Sequence, residues 1–309
     1  MRHRPAVIGT LLLATRPAFL SITLVAVLVG LATPVSQGIP IHAGLALASL
    51  AVALLAHAGA NVLNDYHDHL NGCDAANTER VAPYTGGSRF IQDGRLTPEQ
   101  TRRLALVLLS AAAAIGAWIV SVAGLPLLAL GGLGLALAWA YSAPPLKLQA
   151  RGLGEWAIVA CWLLIIVGCD AVQRRALSLQ PVVTGLPLAL MAAAILFINQ
   201  FPDRAADAQA GKRTLVVRLG PEAAKWGLFG LFMAALIWVV LMIGRQNLPQ
   251  LCGISLAMLP VATAASRELV AHASEPAALR PAIRSTLLAA HLHGLLMAGA
   301  LLLIGRHWR

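Results

Sequence analysis

Nine long apolar segments dominate this chain of 309 residues. They lie at about 17–33, 41–63, 103–122, 124–141, 154–172, 181–199, 223–243, 248–265 and 283–304, and most approach the roughly 20 residues that a helix needs to cross a bilayer. Only 12% of the residues are charged, which is about half of the roughly 25% found in soluble domains. The segments lack the alternation of a membrane β-barrel. The sequence therefore predicts an all-α, polytopic membrane protein with nine transmembrane helices.

Positive charge is distributed unevenly between the two sides that nine spans define. With the N-terminus placed in the cytoplasm, 18 Lys and Arg residues fall on the inner side and five on the outer side. Cytoplasmic loops carry an excess of positive charge. This predicts a multi-pass protein of the cell (inner) membrane with a cytoplasmic N-terminus and an outside C-terminus. Because the cytoplasmic loops explain the net charge of +10, no nucleic-acid partner is expected. The residues indicate no particular oligomeric state.

Two similar acid-rich motifs end the second and the sixth apolar segments. They begin 135 residues apart. Residues four apart share one face of a helix, and the glycine between the last two acids of the first motif predicts a helix break there. The residues are Asn64, Asp65, Asp68 and Asp74 in the first motif and Asn199, Asp203 and Asp207 in the second.

A duplicated bundle would bring the two motifs face to face across one cavity. We therefore expect a single domain, 1–309, made of two pseudo-repeats at about 16–141 and 153–266 and a ninth helix at 283–304. Facing carboxylates repel each other unless a cation neutralises them, and carboxylate and amide oxygens suit Mg²⁺. The alternative is that these residues cap helices. Two copies at matching places, in a chain with only 13 acids, favour a functional site.

Basic residues follow both motifs on the predicted cytoplasmic side. Arg and Lys bind phosphate oxygens directly, so these residues are candidates for holding an anionic substrate. A plain topology role is the alternative for each of them. The candidates are Arg80 after the first motif, Lys147 after Pro144-Pro145, and Lys212 and Arg213 after the second motif.

Together these residues resemble the UbiA superfamily of intramembrane aromatic prenyltransferases. The two motifs look like the family's aspartate-rich motifs, the segment from Gly211 to Gly220 looks like the one that follows its second motif, and the segment from Tyr141 to Lys147 looks like its loop after helix four. The resemblance covers roughly residues 16–304. Two features depart from the pattern: Pro202 precedes Asp203, and residues 85–89 do not match the 1,4-dihydroxy-2-naphthoate prenyltransferases.

The resemblance implies nine helices around a central cavity in which a polyprenyl diphosphate and a small aromatic acceptor react, with the lipid bilayer outside. It implies that Mg²⁺ is held by Asp68, Asp74, Asp203 and Asp207, with support from Asn64 and Asn199. Arg80, Lys147, Lys212 and Arg213 would then bind the diphosphate. Asp65 and Tyr141 would orient the acceptor, with Lys147 as a further catalytic candidate.

The spacing within the first motif bears on the acceptor. The step of six residues from Asp68 to Asp74 is closest to that of the 1,4-dihydroxy-2-naphthoate prenyltransferases of menaquinone synthesis, whereas enzymes acting on 4-hydroxybenzoate would place an acid at Gly72. 4-Hydroxybenzoate, for ubiquinone, or a tetrapyrrole is the alternative acceptor. A secondary transporter of an anionic solute is the alternative from another class, because repeats and acids also occur there.

Overall fold

A computed structural model of the protein describes residues 7–306, which form thirteen α-helices, three 3₁₀ helices and no strand within that range. The α-helices are α1 (Val7–Ala14), α2 (Pro17–Ser36), α3 (Ala43–Leu70), α4 (Cys73–Ala76), α5 (Pro98–Ala123), α6 (Pro126–Ser142), α7 (Gly154–Arg174), α8 (Gln180–Gln209), α9 (Leu215–Leu219), α10 (Pro221–Ala224), α11 (Trp226–Gly244), α12 (Leu259–His272) and α13 (Arg280–Arg306). The 3₁₀ helices are Leu148–Arg151, Gln250–Met258 and Pro276–Leu279.

The all-α membrane class predicted from the apolar segments is confirmed. Within the described residues, eight helical stretches are long and apolar enough to cross a membrane. The ninth predicted span is α6, which is apolar but has only 17 residues. The count of nine full-length spans is therefore corrected to eight long helices and one short one. Pro126 at the first turn of α6 and Gly124 before it shorten this helix, because the chain must turn within a few residues after α5.

The two helices that carry the acid motifs extend well beyond their apolar segments. The second segment was predicted to end near residue 63 and the sixth near residue 199, but α3 continues to Leu70 and α8 to Gln209. Hydropathy marks only the stretch that lies in hydrocarbon, whereas hydrogen bonding and packing continue the helix past it. All the acids of the second motif therefore lie on regular helix.

Helix α8 forms the centre of the bundle. It packs against α7, α11, α13 and α2, and most of its residues are buried. Thr33 of α2 and Thr184 of α8 form a buried hydrogen bond of 2.8 Å between their hydroxyls, of the kind that links membrane helices. Helices α3, α5 and α6 pack on one another beside this core. The gap between the α8 core and the α3–α5–α6 group is the cavity described below.

Two predictions about the whole chain remain predictions. The two pseudo-repeats, 16–141 and 153–266, each contain four of the apolar helices, and the last helix, predicted at 283–304, is α13. The chain ends, to which a cytoplasmic N-terminus and an outside C-terminus were assigned, are residues 1–6 and 307–309 and lie outside the described residues.

Candidate active site

A cavity of about 490 Å³ lies between α2, α3, α5, α6, α7 and α8. One end of the cavity is lined by polar and acidic side chains from both motifs. The rest is lined mainly by small and apolar side chains, for example Gly116, Leu127, Gly131, Leu135 and Ile165. The cavity therefore combines a charged end with a long apolar chamber.

All six predicted metal ligands meet at the charged end. They come from α3, α4 and α8, although the two motifs are separated by more than a hundred residues in the chain. The lining residues are Asn64, Asp68, Asp74, Asn199, Asp203 and Asp207. The structure thus brings the two motifs together on facing sides of one cavity.

The first motif is organised by the end of α3. Asp68 is 8% exposed. The Asn64 side-chain amide, one helical turn earlier, donates a hydrogen bond of 3.1 Å to Asp68 Oδ2 and one of 3.3 Å to the Ser142 hydroxyl. Asn64 therefore fixes the orientation of the Asp68 carboxylate and links it to the end of α6.

Asp74 reaches the same site through a turn. Gly72 has a φ of 80°, a conformation that side-chain-bearing residues rarely adopt, so α3 breaks and α4 begins at Cys73. This break is where the sequence predicted it. Asp74 is 3% exposed, and burial, together with the nearby Asp68 carboxylate, raises the pKa of Asp74 to about 7. Burial thus disfavours the charged form of this carboxyl, and a nearby positive charge would stabilise it.

The loop after α4 closes over Asp74. Gly87 has a φ of 71°, and a Cβ at this position would lie 2.9 Å from Asp74 Oδ2 and 3.1 Å from Asp65 Oδ1. Only glycine fits so close to the two carboxylates without displacing them. The sequence did not predict that the segment 85–89 packs against the carboxylates of the site.

The second motif lies on one face of α8. Asp203 Oδ1 accepts a hydrogen bond of 2.6 Å from the Asn77 amide, and Asp207 Oδ1 accepts one of 3.2 Å from the Cys73 thiol. Cys73 within the first motif and Asn77 just after it thus hold the acids of the second motif. The helix continues through Pro202 without a break.

Lys212 lies between the two motifs. Its Nζ is 2.7 Å from Asp68 Oδ1 and 3.2 Å from Asp207 Oδ1, and its side chain is 6% exposed. Burial alone would lower the pKa of this ammonium, but the carboxylates of Asp68 and Asp207 outweigh it and hold the pKa well above its ordinary value. Lys212 therefore stays charged and offsets part of the repulsion between the facing acids.

The donor set at the charged end suits a hard divalent cation. Asn199 Oδ1 and Asn77 Oδ1 are buried and have no hydrogen-bond partner among residues 7–306, so two amide oxygens are free to accept. Among the same residues, no three His, Cys, Asp or Glu side chains already form a metal cluster. Carboxylates and amide oxygens that leave positions for water and phosphate are the environment that Mg²⁺ prefers.

Asp65 has a different environment from the other acids. It is 3% exposed and does not line the cavity. Its carboxylate forms an ion pair with Arg16, and Oδ2 accepts a hydrogen bond of 3.2 Å from the backbone N–H of Ser88. Asp65 therefore ties the start of α2 and the loop to α3. Arg16 itself lines the cavity.

The predicted basic residues divide into two groups. Lys212 lines the cavity, whereas Arg80, Lys147 and Arg213 are exposed and do not line it. Lys147 follows the loop after α6 with a φ of 45°. Tyr141, the other candidate for orienting the acceptor, does line the cavity near its charged end.

Several lining residues were missed by reasoning from the sequence. Gln200 is buried, donates to Glu155 Oε1 and accepts from the backbone N–H of Val216, which ties α8 to α7 and α9. The position of Asn77, three residues after Asp74, is the one feature of the sequence that could have indicated its place in the site. Arg16 was counted only as a residue that sets topology.

A helical membrane bundle with paired acid motifs at the end of one apolar cavity is the arrangement expected of an intramembrane prenyltransferase. The profile of the UbiA prenyltransferase family matches residues 20–287, so the chain belongs to the UbiA prenyltransferase family. The resemblance inferred from the motifs is confirmed, and the protein is a prenyltransferase enzyme rather than a transporter.

Relatives and solved structures agree with this assignment. The chain is 29% identical to the 1,4-dihydroxy-2-naphthoate octaprenyltransferase of Escherichia coli, over 91% of each protein. It is 27% identical to that of Bacillus subtilis, over 73% of this chain and 71% of the relative. A UbiA homologue from Aeropyrum pernix shares the fold with a TM-score of 0.65 and 15% identity, covering 89% of this chain and 96% of the homologue.

A second solved structure has a similar fold. The UbiA homologue from Archaeoglobus fulgidus bound to DMAPP and Mg²⁺ has a TM-score of 0.58 and 16% identity, covering 96% of this chain and 98% of the homologue. At such low identity the likeness concerns the fold. It places this chain's helices in the same overall arrangement as a protein that binds a prenyl diphosphate and a metal.

Proposed function

We propose that this protein transfers a prenyl group from a polyprenyl diphosphate to 1,4-dihydroxy-2-naphthoate, a step of menaquinone biosynthesis, and that it depends on Mg²⁺. The observation that carries the proposal is the cavity, which joins the acids of both motifs to one apolar chamber. The relatives from Escherichia coli and Bacillus subtilis, both 1,4-dihydroxy-2-naphthoate octaprenyltransferases, support this choice of acceptor. The six-residue step from Asp68 to Asp74 agrees with it.

The diphosphate belongs at the charged end of the cavity and the isoprenoid chain in the apolar part. Asp68, Asp74, Asp203 and Asp207 would hold Mg²⁺, with Asn64 and Asn199 in support. When bound, Mg²⁺ would neutralise the diphosphate and stabilise it as a leaving group. Lys212 supplies a fixed positive charge at the same place.

The chain's own residues control what happens to the prenyl group. The C–O bond to the diphosphate breaks, a C–C bond to the aromatic ring forms, and the ring loses a proton or CO₂. The apolar walls exclude water that would otherwise capture the allylic cation. Tyr141 and Arg16 line the cavity near the acids, where the ring must approach the reacting carbon within about 3–3.5 Å.

A competition experiment tests the acceptor. Membranes that contain the protein are incubated with a labelled polyprenyl diphosphate and equal amounts of 1,4-dihydroxy-2-naphthoate and 4-hydroxybenzoate, and the products are identified by mass. We expect the prenylated naphthalene to predominate. A product formed mainly from 4-hydroxybenzoate would replace the proposed acceptor, and the absence of transfer to either would contradict the proposal.

We also propose that the charged end of the cavity faces the cytoplasm across the inner membrane. The uneven distribution of Lys and Arg supports this orientation. In a variant without the four native cysteines, an impermeant thiol reagent should label Asp93→Cys only in inverted vesicles. It should label Ala176→Cys, at the other end of the bundle, only in intact spheroplasts. The reverse pattern would overturn the orientation.

A further inference from the structure

Two nitrogen-bearing side chains lie in the apolar part of the cavity, away from both acid motifs. His57 of α3 and Trp162 of α7 both line the cavity. Because a helix rises 1.5 Å per residue, His57 lies about 10 Å along α3 from Asn64. Most of the lining around them is apolar, and it includes Ile22, Ala53, Ile158, Ile165 and Cys169. A polar pair in such surroundings needs an explanation.

The orientation of the His57 ring is fixed. Its Nδ1 is 2.6 Å from the hydroxyl of Thr23, which is fully buried on α2. The ring packs against Trp162 in an edge-on arrangement, with 5.1 Å between the ring centroids and an angle of 76° between the planes. Nδ1 is therefore occupied, and Nε2 makes no hydrogen bond to any of residues 7–306.

Trp162 has an unused donor. The residue is only 7% exposed, and its indole Nε1–H is buried without a hydrogen-bond partner among the described residues. A buried N–H is normally paired. Trp162 and His57 thus line one part of the cavity, and together they carry one donor and one further nitrogen that no group of residues 7–306 satisfies.

We propose that His57 and Trp162 bind a hydroxyl oxygen of the aromatic acceptor, an inference that rests on the proposed function. A hydroxyl can donate to His57 Nε2 and accept from Trp162 Nε1–H, whereas the isoprenoid chain offers neither a donor nor an acceptor. The acceptor's reacting carbon must lie beside the diphosphate end. When the prenyl group replaces the carboxylate at C2, the 4-hydroxyl is the one farther from the reacting carbon, and it extends towards His57.

This contact would select among acceptors as well as position them. A site built to hydrogen-bond a hydroxyl discriminates strongly against an analogue that lacks it, because the buried polar groups are then left unpaired. A hydroxyl that donates to Nε2 also gains electron density, which the ring carbon needs to attack the prenyl group. His57 and Trp162 are therefore specificity-determining residues for the acceptor.

Three variants test the proposal: His57→Leu, Trp162→Phe and His57→Gln, with Trp156→Phe as the matched control because Trp156 is 73% exposed on the same helix. We expect His57→Leu and Trp162→Phe each to raise the acceptor KM about five- to tenfold, the effect of one lost hydrogen bond. The KM for the prenyl diphosphate should stay within about twofold. His57→Gln, which keeps a hydrogen-bonding group, should recover part of the loss, and Trp156→Phe should behave as the wild type.

A pair of acceptors sharpens the test. For 1-hydroxy-2-naphthoate, which lacks the second hydroxyl, the wild type should already have a raised KM, and His57→Leu should raise it little further. Equal effects of His57→Leu on both acceptors, or an unchanged acceptor KM in both His57→Leu and Trp162→Phe, would overturn the proposal. If the wild type prenylates the naphthoate in either case, the proposed function stands and only this inference fails.

Discussion

The two acid motifs perform similar tasks on different backbones. In the first, Asp68 lies in the last turn of α3, and Asp74 is reached only after the turn at Gly72, which has a φ of 80°. In the second, Asp203 and Asp207 follow each other by one turn of the unbroken helix α8. A step of six residues across a turn and a step of four residues along a helix therefore both bring two acids to the same cavity.

The difference lies in what supports each motif. The acids of α8 are placed by the most buried helix of the bundle. Asp74 depends instead on a loop, in which Gly87 packs against its carboxylate. The same region also supports the second motif, since the Asn77 amide donates to Asp203. We therefore expect changes at Gly87 to disturb the first motif more than the second.

The largest expected effect is the loss of one acid from each motif. Asp68→Asn and Asp203→Asn should each lower kcat/KM by about a thousandfold or more, because each removes a negative ligand. The double variant should be little worse than either one, since groups that act as a unit are not additive. Steady-state kinetics measures this, with Asp93→Asn, an exposed loop acid, as the control. Wild-type activity in either single variant would contradict a shared site.

The next largest effect is expected from a change in the loop that closes over Asp74. Gly87→Ala should lower kcat/KM by about 10- to 100-fold, because its Cβ would displace the Asp74 carboxylate. Gly94→Ala is the matched control: Gly94 also has a positive φ, 65°, but has no neighbouring atom within 4 Å. Both should lose about 1 kcal/mol of stability from backbone strain. If the two variants lose equal activity, backbone strain and not contact with Asp74 explains the result.

Removal of the charge between the motifs should have a smaller effect on turnover and a visible effect on stability. Lys212→Met should raise the KM for the prenyl diphosphate about tenfold. The variant leaves the carboxylates of Asp68 and Asp207 without their positive partner, so its melting temperature in EDTA should be lower than that of the wild type. Mg²⁺ should restore the melting temperature of this variant more than that of the wild type. Arg213→Met, exposed next to it, is the control. A melting temperature that does not respond to Mg²⁺ would show that the acids do not hold the metal.

The smallest effects are expected outside the cavity. Lys147→Met and Arg80→Met should each change the KM for the prenyl diphosphate by less than about twofold, because both side chains are exposed and neither lines the cavity. Measured KM values for both substrates check this. A rise of tenfold in Lys147→Met alone would mean that its loop closes on the diphosphate during the reaction.

Much of the fold could be predicted from the sequence because its signals are local. Long apolar segments predicted the membrane helices, and Asn–Asp pairs at a spacing of four predicted one helix face. Gly72 predicted the break between α3 and α4. The exact helix ends were not predictable, because α3 and α8 extend past their apolar segments into polar sequence that the bundle still holds in helix.

By itself the sequence determined the membrane class, the family and the two acid motifs. The tertiary structure decided which charges meet: Lys212 rather than Lys147 lies between the motifs, and Asp65 pairs with Arg16 instead of lining the cavity. Composition and spacing describe neighbours along the chain. An ion pair between α2 and α3, or a lysine between α3 and α8, depends on how helices far apart in the chain pack, and no local pattern encodes that.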